Sequence, residues 1–144
     1  MTELIIKEFD IERREDGNIG KFIVSLGDNN TFEVYAAQLL HHAYIAEAFS
    51  IPEERVLGGG YYTYSGKGDL LVWGSSSDFG AVPTEVMDRT AQGLCDFLKQ
   101  RNFVVNKYDV KNSGEEIEGR NARRWRELGF KIDTYIPFIL NNTK

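Results

Sequence analysis

A single cysteine, two histidines, three prolines and no apolar run long enough to cross a bilayer set the first limits on this chain of 144 residues. With Cys95 alone, an internal disulfide is excluded, and nothing points to an oxidising compartment. His41 and His42 are adjacent, and no Cys or His elsewhere completes a metal-ligand set. No segment approaches the roughly 20 apolar residues of a membrane-spanning helix. Met1 to Asp16 carries charges throughout, without the apolar centre of a signal peptide. The expectation is a cytoplasmic protein with no membrane partner. The formal charge of −5 leaves no general basic face for a phosphate backbone, so no nucleic-acid partner is expected. There is no internal repeat, low-complexity tract or Pro/Ser linker. One domain over residues 1–144 is expected, with 111–144 as a C-terminal helix–strand extension of it.

What is present is bulky core material. Hydrophobic residues make up 42%, with nine Phe, seven Tyr and two Trp, enough for a core without staples. Leu4–Ile11 has the character of a short strand. Asp16-Gly17-Asn18 and Gly27-Asp28-Asn29-Asn30 are turn sequences, and the runs Lys21–Leu26 and Thr31–Tyr35 predict an antiparallel hairpin. From Gln38 to Ser50 the spacing turns helical, with Leu39, His42, Ala46 and Phe49 on one side, and Pro52 ends it. Val56–Ser65 and Asp69–Gly74 predict two strands around Gly66-Lys67-Gly68. The consecutive Leu70, Leu71 and Val72 suit a strand buried on both faces.

Pro83 opens a second helix to about Arg101, with Val86, Thr90, Leu94, Phe97 and Leu98 inward. Phe103–Val110 reads as a strand. Ser113 with Glu116 forms a capping box for a third helix that stops at Leu128-Gly129. Lys131–Leu140 predicts a last strand, confined by Pro137 to an edge or an end. The order is β-β-α-β-β-α-β-α-β, with Leu4–Ile11 as a possible further strand. That predicts an α+β sandwich, its mixed, largely antiparallel sheet pairing sequence neighbours and carrying helices on its faces.

Several chemical patterns dissolve on inspection. Cys95 and Arg101 have the spacing of a cysteine-dependent phosphatase loop, but the residues between lack glycine and belong to an amphipathic helix. Cys95 reads as a small buried apolar side chain. Gly66-Lys67 lacks the earlier glycine and the following Ser/Thr of a nucleotide loop. A triad of Ser76, His42 and Asp78 is allowed by almost any chain with a serine loop and two histidines. Arg120, Arg123, Arg124 and Arg126 read as a solvated helix face with Glu116–Arg120 and Arg123–Glu127 pairs, or as a surface for an acidic or phosphorylated partner.

His42 has two readings. On the apolar stripe of its helix it is a core histidine bonded to a backbone carbonyl. At the helix start it would sit beside free N–H groups as a general base or nucleophile for an anionic substrate. Ser75-Ser76-Ser77-Asp78 follows a buried strand and precedes a helix, a frequent place for ligand sites and equally for a plain polar connection.

The strand-borne Lys21, His42-Ala43 opening a helix, Leu57-Gly58-Gly59-Gly60, and Val72-Trp73-Gly74-Ser75-Ser76-Ser77-Asp78-Phe79-Gly80 arrive in the order found in the phosphohistidine phosphatase family (the janus-type fold). The chain resembles that family over about residues 17–110. The resemblance implies a metal-independent hydrolase that removes phosphate from phosphorylated side chains or small phosphoramidates, with no organic cofactor. Its partner would be a phosphorylated protein or a small phosphorylated molecule. His42 would be the catalytic base or nucleophile. Ala43 would offer its amide, Lys21 its charge, and Ser75, Ser76, Ser77 and Asp78 would complete the phosphate loop, with Gly59, Gly60 and Tyr61 lining the pocket. The alternative is a non-catalytic relative that binds an anion, a ligand or a protein.

Three departures bear on that choice. Tyr61 and Val34 stand where the family can carry basic residues, and Asp78 replaces a small neutral residue. A carboxylate about 4 Å from a phosphate oxygen costs on the order of 4 kcal/mol at an effective dielectric of about 20. Asp78 is therefore expected to point away, to be offset by an arginine of the last helix, or to mark a ligand other than ordinary phosphate.

Overall fold

The computed structural model describes residues 3–39, 41–112, 117, 119–130 and 139–141. It is an α+β sandwich around one mixed sheet. The elements run β1 (Leu4–Phe9), β2 (Asn18–Leu26), β3 (Phe32–Ala37), α1 (His42–Ala48), β4 (Val56–Tyr64), β5 (Asp69–Gly74), α2 (Thr84–Gln100), β6 (Lys107–Asn112), α3 (Gly119–Glu127) and β7 (Ile139–Asn141). Across the sheet the strands lie β1-β3-β2-β4-β5-β6-β7.

The two predicted hairpins form, β2 with β3 and β4 with β5, both antiparallel. Pairing by sequence neighbour fails elsewhere. β1 does not meet β2 but lies parallel to β3, and β2 instead pairs with β4 across α1. β5 and β6 are parallel because α2 carries the chain back along the sheet; its 17 residues span about 25 Å.

Strand alternation decides what each face holds. Phe22 and Val24, Phe32 and Val34, Tyr62 and Tyr64, Leu70 and Val72, and Tyr108 and Val110 enter one large core with α2 and α3. The helix stripe is largely as predicted: Val86, Thr90, Leu94 and Leu98 are buried, while Phe97 is only partly so and Met87, Ala91 and Cys95 complete the face. Each fully buried aliphatic side chain there stabilises the fold by about 1.5–3 kcal/mol. Trp125 of α3 is wholly buried, its indole N–H donating to the Leu57 carbonyl oxygen at 3.1 Å and its ring packed edgewise on Phe32. α1 packs on β2 and β3 from the opposite face, over a smaller cluster of Ile23, Tyr35, Ala37, Ile45 and Val56.

Other expectations are corrected. α1 is only seven residues long, because His41 stays extended before it and Ser50 turns left-handed after it. The strand expected at Phe103–Val110 begins at Lys107. Phe103 to Val105 form a loop in which Val104 is 59% exposed. β5 is not buried on both faces: Leu70 and Val72 are buried, whereas Leu71 and Trp73 lie on the opposite face and are only partly covered. Gly129 ends α3 in a left-handed conformation, as predicted. The Ser113–Glu116 capping box, the Glu116–Arg120 pair and Pro137 lie outside the described residues. Arg123 and Glu127 form no ion pair among the described residues. No helix among the described residues is long and apolar enough to cross a membrane.

Candidate functional site

The residues singled out in the sequence converge where the start of α1 meets β4 and the serine loop. His42 is the first helical residue, and its ring turns inward with 1% exposure. Its Nε2 lies 2.7 Å from the Gly60 carbonyl oxygen. A carbonyl can only accept, so Nε2 carries the hydrogen, and the neutral ring keeps its lone pair on Nδ1. Burial pushes the imidazole below its ordinary value. Lys21 and His41 add to that, while the Gly60 bond and the Asp78 charge oppose it.

The glycine triplet makes room for this ring. A Cβ on Gly59 would stand 3.0 Å from His42 Cδ2 and only 2.3 Å from the Phe22 carbonyl oxygen. Gly59 is therefore a packing requirement, and Gly60 supplies the histidine's acceptor. Tyr61 meets the His42 ring edge-to-face with centroids 5.3 Å apart. Tyr61 also stacks on Trp73 at 4.6 Å, and the Lys21 ammonium lies 5.1 Å from the Tyr61 ring centre.

The serine loop is closed on itself. Ser76 and Gly80 exchange backbone hydrogen bonds, and the Gly80 oxygen also accepts from the Gly59 N–H at 3.1 Å. Ser76 is buried, and its hydroxyl oxygen accepts the N–H groups of Asp78 (3.2 Å) and Phe79 (3.0 Å). This turn aims Asp78 at α1, where Oδ2 accepts the Ala43 N–H at 2.9 Å. Asp78 thus points into the place where a phosphate oxygen was expected, and no arginine pairs with it among the described residues. Val34 lies in the core, as its apolar character requires. Asn121 of α3 donates to the Phe79 carbonyl oxygen at 3.0 Å, tying the loop to the helix behind it.

His42, Ala43, Gly59, Gly60, Tyr61, Lys21, Ser76 and Asp78 are therefore brought together. Ser75 leads into the loop and Ser77 is exposed at its tip. Sequence reasoning missed the neighbouring face, where Ile19, Thr63, Leu71 and Trp73 continue outward from Tyr61. The alternation of Asp69, Leu71 and Trp73 was the available signal. A separate cleft of about 260 Å³ lies between Arg13, Tyr64, Phe103 and Val104. Its guanidinium is already spent on Phe103 and on the carbonyl oxygens of Arg101 and Asn102. No protein-family model matches this chain, and no curated protein matches it.

Proposed function

We propose that this protein is a non-catalytic relative of the phosphohistidine phosphatases that acts as a protein-binding module. One observation carries the reading: three of the groups that the resemblance assigns to catalysis and phosphate binding already have internal partners. His42 Nε2 is held by Gly60, the Ala43 amide by Asp78, and the Ser76 hydroxyl by two amides of its own loop. A phosphoryl group would have to displace a carboxylate from a charge-assisted hydrogen bond, each such bond contributing about 1.5–3 kcal/mol. In-line attack also requires a ring nitrogen about 3–3.5 Å from phosphorus, and the His42 ring is almost wholly inaccessible. The seven-residue α1 contributes little dipole to offset either cost.

One observation favours a second reading, a metal-independent hydrolase acting on phosphorylated side chains or small phosphoramidates. The Ala43 amide beside His42 does hold an anionic oxygen, that of Asp78. In this reading Asp78 is a stand-in that substrate displaces, and His42 Nδ1 is the reacting nitrogen. The deciding experiment is phosphate release from a phosphohistidine peptide by wild type, His42→Ala and Asp78→Ala. The binding-module reading expects no release by the wild type. Release that disappears in His42→Ala would overturn it in favour of the hydrolase. Release by Asp78→Ala alone would identify that carboxylate as the block.

A further inference from the structure

α1 covers only the β2–β3 half of its side of the sheet, and no helix among the described residues covers the other half. One row across that open half reads Lys21, Tyr61, Trp73, Lys111, each directly opposite the next on β2, β4, β5 and β6. The next row reads Ile19, Thr63, Leu71, Asp109. Ile19 is 68% exposed, the largest exposure among the big apolar side chains described.

The chemistry of these rows selects a ligand. Lys21 and Lys111 form no ion pair among the described residues and bracket the aromatic pair. Three strand spacings separate them, about 14 Å. In the second row one carboxylate oxygen of Asp109 is buried without a hydrogen-bond partner among the described residues, while Lys107 lies 4.0 Å from the other. Sealed from solvent, that oxygen lies beyond the reach of a docked ligand, and Lys107 offsets the charge of the carboxylate on this face. The Tyr61 and Trp73 rings stack on each other at 20° and Lys21 lies near the Tyr61 ring. Stacked together, they do not offer the separate flat faces on which nucleic-acid bases stack.

We propose that this open half-sheet docks an extended acidic segment of a partner protein. Two carboxylates about four residues apart span about 13 Å of extended chain and meet Lys21 and Lys111. An apolar side chain between them covers Tyr61, Trp73 and Leu71. The proposal deepens the binding-module reading and rests on it.

The test follows tryptophan emission. Trp125 is fully buried, so Trp73 is the tryptophan exposed to a ligand on this face. The probe is a capped peptide of about nine residues, long enough in extended form to cross the row, with two glutamates four apart and valines between them. Comparison probes are the same peptide with lysines for glutamates and an oligouridylate of similar length. The acidic peptide is expected to shift Trp73 emission, to bind more weakly as salt is added, and to lose roughly tenfold or more in affinity in the Lys21→Glu/Lys111→Glu protein. Ile19→Asp, at an exposed position, should weaken binding with the melting temperature unchanged. Equal binding of acidic and basic peptides, affinity unchanged by the charge reversal, preference for the oligouridylate, or no binding at all would each overturn the proposal. The probe carries no phosphoryl group, so this outcome is independent of the phosphate-release assay.

Discussion

Acidification from neutrality is expected to destabilise this protein through His42, and His42→Gln should remove that dependence. The ring is 1% exposed, its Nε2–H is committed to the Gly60 oxygen, and protonation would place a positive charge where water does not reach. Burial is the main cause of its lowered pKa; the groups facing it are Lys21, His41 and Asp78. The sign follows from linkage. The unfolded chain binds the proton at about pH 6.5, before the folded one does, so the contribution to stability is complete above that value and lost below it. The loss has a slope of up to about 1.4 kcal/mol per pH unit until the folded ring also titrates. Against a total of about 5–15 kcal/mol, such a slope is readily measured.

The assay is urea unfolding at about pH 7.5, 6.5 and 5.5 for wild type and His42→Gln, whose amide can still donate to Gly60. The difference between the two proteins removes contributions from other groups. Among them is Asp109, whose carboxyl is pushed up by burial; it favours the folded state as pH falls and so has the opposite sign. A wild-type-minus-variant difference that stays constant over this range would refute the reasoning. So would an imidazole NMR signal for His42 titrating at or above its ordinary value.

Two further outcomes probe the packing around the site. Gly59→Ala should cost about 1–3 kcal/mol in urea unfolding, because the added methyl meets the Phe22 carbonyl at 2.3 Å and His42 at 3.0 Å; a neutral result would mean that the triplet does not hold the imidazole in place. Trp125→Phe removes the donor to the Leu57 oxygen and should cost about 1–3 kcal/mol for the orphaned acceptor alone. Arg123→Ala, at an exposed position two residues earlier, should stay within about 0.5 kcal/mol.

Much was legible in the sequence because it is local. Turn glycines, the strand-forming runs of β2 to β5 and the 3.6-residue stripe of α2 require only near neighbours, and each of these elements formed close to its expected place. Errors gathered where local signals compete. Phe103 to Val105 have strand composition, but the chain has just left α2 and aligns with β5 only from Lys107, opposite Asp69. Leu70, Leu71 and Val72 form a continuous apolar run, yet among the described residues a helix lies on only one face of β5. The arginines of α3 caught the eye, whereas the residue that anchors the helix is Trp125 among them.

At the site the sequence determined the cast: one histidine at a helix start, a glycine triplet, a serine loop and a misplaced acid. It left His42 poised between core residue and catalyst, since both readings need the same imidazole at the same helix position. Tertiary structure decided which groups meet. It brought Gly60 of β4 to the first residue of α1, so that its carbonyl oxygen captures Nε2, and it folded the serine loop so that Asp78 reaches Ala43. It also left half of one sheet face without a helix among the described residues. No local pattern carries that information, because a residue's exposure depends on what the rest of the chain places above it.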